Sequence, residues 1–162
     1  MPDRAAVTAA LSLDRSSSAA ARTIDLTTTG ARSGRPRRIE IWFYRAGDEL
    51  YLSTAPARRD WYANILADPR IVVHLKNGVR ADLPATGVAI TDPAERARVL
   101  REIVDELRHP DNRGGVQDVI GSADDWIAGS PLVRIDLDDP SLLPGGREDR
   151  SGSAGTCRQM PR

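Results

Sequence analysis

Two pairs of strand-like runs, each closed by a tight turn, limit what this chain can fold into. In residues 39–44, Ile39, Ile41 and Phe43 alternate with Glu40, Trp42 and Tyr44, a period of two that gives a strand two distinct faces. Ala46-Gly47-Asp48 turns the chain, and residues 50–54 return as the partner. Residues 71–75 and 79–90 form a second pair through Asn77-Gly78, a dipeptide suited to a two-residue hairpin turn. Pro84 lies inside that second run and, lacking an N–H, is expected at an edge or a bulge. The threonine-rich residues 24–29 read as a further strand, and residues 131–137, with Leu132, Val133 and Ile135, as the last.

Helical periodicity occupies the gaps. Residues 59–67 place Trp61 and Ile65 four apart and stop before Asp68-Pro69, because a residue preceding proline resists the α region. Asp92-Pro93-Ala94-Glu95 starts a second helix, with Asp92 as cap and Pro93 in the first helical position. Its buried stripe is Leu100, Ile103, Val104 and Leu107, and His109-Pro110 ends it. Residues 117–127 read as a less regular third helix. The order β-β-β-α-β-β-α-α-β does not alternate strand with helix, which excludes a doubly wound parallel sheet. The expected fold class is α+β, mainly β: an antiparallel sheet curled into a small barrel with flanking helices.

A chain of 162 residues suits one domain with a substantial core. That domain is expected over residues 22–143, between a mobile N-terminal segment (1–21), at most a poorly anchored short helix, and a disordered tail (144–162) without apolar periodicity. Zero net charge and 4% aromatic residues argue against a nucleic-acid partner, which calls for a broad basic surface with stacking platforms. Cys157 is the single cysteine and lies in the Gly/Ser-rich tail, so neither an internal disulfide nor a cysteine metal site is expected. His74 and His109 lack partners at metal spacing, and Asp136, Asp138 and Asp139 do not form an ion-binding loop, so no metal is expected. With no leader-like segment and no apolar run of membrane length, a cytoplasmic location without integral membrane association is the expectation.

The chemistry concentrates in Leu26-Thr27-Thr28-Thr29-Gly30-Ala31-Arg32-Ser33-Gly34-Arg35-Pro36-Arg37-Arg38. Four arginines fall within seven positions, after a turn that carries two glycines. The guanidinium fork matches phosphate geometry, and glycine lets bare N–H groups approach an anion. Trp42, Phe43 and Tyr44 follow as aromatic surface for a flat ring. A phosphate grip beside an aromatic strand suggests a nucleotide-like redox cofactor. The competing readings are a solvated arginine turn, a dimer interface built on Trp42 and Tyr44, and a purely structural role for Trp61, Ile65 and Leu66.

Residues 27–37, followed by a hairpin and then by Asp60-Trp61-Tyr62-Ala63-Asn64-Ile65-Leu66-Ala67-Asp68-Pro69-Arg70, resemble the deazaflavin-dependent nitroreductase family. Those proteins are coenzyme F420-dependent reductases of split β-barrel fold, related to the flavin-binding pyridoxamine-phosphate oxidase-like barrels. The similarity covers about residues 24–90. It implies that Arg32, Ser33 and Arg37 hold the cofactor phosphate, that Gly30 and Gly34 shape the turn, and that Arg35 and Arg38 reach the glutamate tail. It also implies that Ile41, Trp42, Phe43, Ser53 and Thr54 line the deazaflavin ring, with Trp61 closing the pocket. Family members often carry a longer glycine-containing loop where Ala55-Pro56-Ala57-Arg58-Arg59 stands, and some use tyrosines late in the chain; this sequence has none after Tyr62.

The activity so implied is hydride transfer from reduced F420 to a small-molecule acceptor: a quinone, a nitroaromatic or an activated enone. Tyr44, Tyr62 and Ser53 are the candidates to relay the accompanying proton, with no choice among them. Two alternatives stand beside this reading: an FMN-binding split-barrel oxidoreductase, and a non-catalytic cofactor-binding protein. FMN carries one phosphate and no polyanionic tail, so the surplus of arginines favours F420. Analogy with the barrel type further implies a homodimer.

Overall fold

The computed structural model describes residues 2–112 and 121–144. Six antiparallel strands close a barrel in the order β1-β2-β3-β6-β5-β4. They are β1 (Thr23–Thr29), β2 (Pro36–Ala46), β3 (Glu49–Ser53), β4 (Arg70–Leu75), β5 (Ala81–Ala89) and β6 (Leu132–Leu137). The helices are α1 (Arg4–Leu11), α2 (Ala19–Arg22), α3 (Asp60–Ala67), α4 (Pro93–Leu107) and α5 (Ala123–Gly129), and a 3₁₀ turn spans Pro140–Leu142. The mainly β, α+β barrel expected from the hairpins is the fold found. The tail beyond residue 144, with Cys157, and residues 117–120 of the expected third helix lie outside the described residues; the helix found there runs Ala123–Gly129, capped by Ser122.

The period-two pattern does what strand geometry requires. Ile24, Leu26 and Thr28 of β1 point into the barrel, opposite Ile41, Ile39 and Arg37 of β2 in register. Because β2 has 11 residues it pairs twice, with β1 up to Trp42 and with β3 from Phe43 onward. Its inner face contributes Ile41 and Phe43 to the barrel core, while its outer face contributes Tyr44 and Ala46 to a second core. That second core lies between the barrel wall and α4, whose Val99, Leu100, Ile103, Val104 and Leu107 are buried in it, with Trp126 of α5 alongside. Asp92 caps α4 by accepting from the Glu95 N–H at 3.0 Å, and Pro93 follows it, as read from the sequence.

Two expectations need correction. The N-terminal segment is anchored rather than mobile: Asp3 caps α1, and Val7, Leu11 and Leu13 are buried in the barrel core beside Leu142. Arg4 fixes the same corner through Asp139 at 3.0 Å and Ser141 at 2.6 Å. The closed barrel also leaves Pro84 no open edge. It is paired with Val72 of β4, one residue before the β5–β6 register begins at Ala85, so its missing N–H faces the point where β6 has ended. Its carbonyl accepts from Asp138 there at 3.0 Å.

The connections divide the barrel into two ends. One is stopped by α1 and the 3₁₀ turn. At the other, β1 leaves into the arginine turn, β3 leaves into residues 54–59 and α3, and β6 enters after α5. Trp61 and Ile65 of α3 close the core at that mouth.

Candidate active site at the barrel mouth

The arginine turn folds on its own hydrogen bonds. Gly30 N–H donates to the Arg35 carbonyl at 2.8 Å, Gly34 N–H to the Gly30 carbonyl at 2.9 Å, and Arg35 N–H to Ser33 Oγ at 3.2 Å. Gly34 has φ +66°, a conformation that favours glycine. Gly30 is needed for space: a Cβ there would lie 2.5 Å from Ser33 Oγ and 3.2 Å from the Arg35 carbonyl oxygen. Asn64 of α3 ties the turn to the helix. Its Oδ1 accepts from Ala31 N–H at 2.9 Å, and its Nδ2 donates to Thr28 Oγ1 at 3.1 Å.

Between turn and helix runs a cleft of about 610 Å³. Of the residues expected to bind a cofactor, Gly30, Arg32, Ser33, Arg37 and Trp61 line it together. Arg58 and Asp60 join them from the loop and the start of α3, with Thr28, Ile39 and Asn64. Asp60 is the one carboxylate among the lining residues, so the cleft is cationic. Among the described residues, the guanidiniums of Arg32, Arg37 and Arg58 have no protein carboxylate within salt-bridge distance. Arg38 behaves differently: its alternate position on β2 turns it to the outer wall, where it pairs with Asp25 at 3.0 Å. Arg35 and Gly34 stay at the exposed outer side of the turn.

Helix α3 adds to the positive field. Arg59, at its N-cap, makes no side-chain cap bond, which leaves the first-turn N–H groups and the positive end of the helix dipole to whatever occupies the cleft. In the wall of the cleft Trp61 Nε1 is buried without a hydrogen-bond partner among the described residues, and so is Thr54 Oγ1 just after β3. Buried polar groups are rarely left so.

The ring-lining assignments fare differently. Ile41 and Phe43 are sealed in the barrel core, at 5% and 1% exposure, and cannot touch a ligand at the mouth. Trp42 faces the outer wall and packs against the second core beside the helices, so it lies on the wrong side of β2. The sequence shows alternation but not that both faces of this strand are covered. Thr54 is at the mouth, directly after β3.

The three proton-relay candidates separate as well. Tyr44 is buried against Trp126, ring centroids 6.2 Å apart, and burial pushes its hydroxyl well above the usual phenol range. Ser53 is buried and donates to the Pro131 carbonyl at 2.7 Å, holding β3 to the entrance of β6. Neither reaches the cleft. Tyr62 is half-buried and edge-on to Trp61 of the cleft wall, with centroids 6.0 Å apart, but it lines a separate cleft on the other side of residues 57–59.

Sequence reading missed Ile39, Arg58, Asp60 and Asn64 as site residues. Arg58 and Asn64 come from segments about 20 and 30 positions beyond the turn, and only folding brings them to it. Among the described residues no His/Cys/Asp/Glu group could hold a metal, and no helix is long and apolar enough to cross a membrane.

A phosphate-bearing polyanion fits this donor set: unpaired guanidiniums, a glycine cradle that a Cβ would fill, and an uncapped helix start. Solved structures share the fold. A conserved hypothetical protein from Mycobacterium tuberculosis superposes with a TM-score of 0.56 at 21% identity, over 76% of this chain and 75% of that one. General Stress Protein 26 from Bacillus anthracis str. Sterne superposes with a TM-score of 0.54 at 14% identity, over 83% and 88%. Residues 15–114, from the α1–α2 connection to just beyond α4, match the family model of F420H(2)-dependent quinone reductases. The chain therefore belongs to the F420H(2)-dependent quinone reductase family, with coenzyme F420 as its cofactor.

Proposed function

We propose that the protein reduces a quinone with F420H2, and that the mouth cleft seats the cofactor's phosphate. The observation that carries this reading is the set Arg32, Arg37 and Arg58, three guanidiniums around one cleft with a single carboxylate among its lining residues. When bound, the reduced deazaflavin supplies a hydride, two electrons that with one further proton per hydride convert a quinone to a hydroquinone. The chain's own part is to bind, orient and exclude water. Arg32, Ser33 and Arg37 grip the phosphate, Asn64 holds the turn that carries them, and Trp61 walls the cleft. Tyr62 is the remaining side chain of the three candidates for delivering the proton; solvent is the other source. Nitroaromatics and activated enones are further acceptors of the same electron demand.

The test is anaerobic turnover of F420H2 with a soluble benzoquinone, followed by the return of oxidised-deazaflavin fluorescence. Protein-dependent oxidation with two-electron stoichiometry supports the reading. Tight F420 binding with no turnover of quinone, nitroaromatic or enone would make the protein a cofactor carrier. Reduction of the same acceptors with FMN in preference to F420 would move it to the flavin enzymes.

A further inference from the structure

The 57–59 segment has a cleft on each side, and Arg58 lines both. The second cleft, about 480 Å³, lies between this segment, the start of α4 and the end of α5. Arg58, Arg59 and Arg96 line it, and no carboxylate does. Among the described residues Arg96 is held in place by carbonyls: Nη2 donates to Ile127 at 3.1 Å and Ser130 at 2.8 Å, and Nη1 to Ile90 at 3.4 Å. Ser130, 2% exposed, lines the cleft with an Oγ that has no partner among the described residues. Arg59 Nε is buried and, among the described residues, unpartnered as well, although its Nη2 donates to the Ala55 carbonyl at 3.2 Å. Tyr62, Ile90 and Ile127 supply the aromatic and apolar wall.

Carbonyls orient a guanidinium but leave its charge uncompensated, and a partly desolvated cation favours an anionic neighbour. A neutral ligand would leave this field unanswered. We propose that the second cleft is a carboxylate-binding subsite, recognising a ligand carboxylate through Arg59, Arg96 and the Ser130 hydroxyl. Two molecules can bring that group: the acceptor, if it is a carboxylated quinone, or the cofactor, through its glutamate tail. The second source rests on the F420 reading of the adjoining cleft; the first does not.

The test uses the full chain and two variants, Arg59→Gln and Ser130→Ala. Ser130→Ala removes an oxygen that has no partner, so it should preserve the fold even if Arg59→Gln does not. Two affinity ratios are measured by titration without turnover. One compares a carboxylated benzoquinone with its methyl ester; the other compares F420 with and without its glutamates. Loss of a charge-assisted bond predicts that one ratio falls about tenfold to a hundredfold in the variants. A fall in the quinone ratio assigns the site to the acceptor, and a fall in the F420 ratio assigns it to the tail. If both ratios match the wild type in every variant that folds, the subsite does not exist. Failure of the wild type to bind F420 would overturn the cofactor reading alone, because the quinone ratio is measured without cofactor and still decides the subsite.

Discussion

At the scale of single residues, space and hydrogen bonding shape the turn that carries the arginines of the site. Gly30 is expected to be intolerant because of the 2.5 Å approach its Cβ would make to Ser33 Oγ. Gly30→Ala should weaken F420 binding about tenfold and lower stability by about 1 kcal/mol, within the usual range for a strained substitution. Adding Ser33→Ala relieves the closest contact and should recover the stability, while the affinity stays low because the serine hydroxyl is gone. Urea denaturation and F420 titration of the single and double variants separate the two effects. Asn64 makes a comparable case: Asn64→Ala strands the Ala31 N–H and should cost about 1–3 kcal/mol, read as a shifted urea midpoint. The arginine cluster was legible in the sequence because all four members stand together. Asn64 and Arg58 were not, since nothing local marks an asparagine in a helix or an arginine in a loop as a partner of a distant turn.

At the scale of elements, α3 joins core and site, with Ile65 in the core and Asn64 in the cleft wall. It sits on β5 at Gly87, where a Cβ would lie 3.0 Å from Ile65 Cγ2 and 3.1 Å from Val133 Cγ1. Gly87→Val should overpack this seat and destabilise by about 1–3 kcal/mol. Combining it with Ile65→Ala should recover part of that loss, so a double-mutant cycle in urea should show positive coupling; strict additivity would mean that α3 does not rest there. Strand positions and the α4 cap could be read directly, because period-two alternation and Asp92-Pro93 are local signals. The burial of both faces of β2 could not, because alternation says that two faces differ and not what covers each. Nor did the N-terminus announce itself: Val7, Leu11 and Leu13 make too short an apolar pattern to demand a helix until a barrel end is available to receive them.

At the scale of the whole molecule, the barrel separates its tasks between its ends and its outer wall. One end is stopped by α1, the other carries the cationic cleft, and the wall is stitched by polar contacts where β1 meets β2 and β4. Asp25 is the centre of that stitching, accepting from Lys76 at 2.8 Å and Arg38 at 3.0 Å. Those hydrogen bonds, Lys76 first, hold its carboxyl below the usual aspartate range. A depressed folded-state pKa means that this contribution is fully present above the unfolded value of 3.8 and is lost as pH falls through the lower folded value. Urea stability should therefore decline on acidification below about pH 4, and Asp25→Asn should flatten that part of the curve. An unchanged slope in the variant would remove Asp25 from the account.

The central claim is that the mouth cleft takes F420 through arginines that meet no carboxylate among the described residues, and one titration tests it most directly. Binding of F420 to the wild type and to Arg37→Ala, with FMN as the comparison ligand, is followed by fluorescence. Saturable F420 binding that is tighter than FMN binding, and weakened about tenfold to a hundredfold by Arg37→Ala, is the predicted result. Equal F420 affinity in wild type and variant would contradict it.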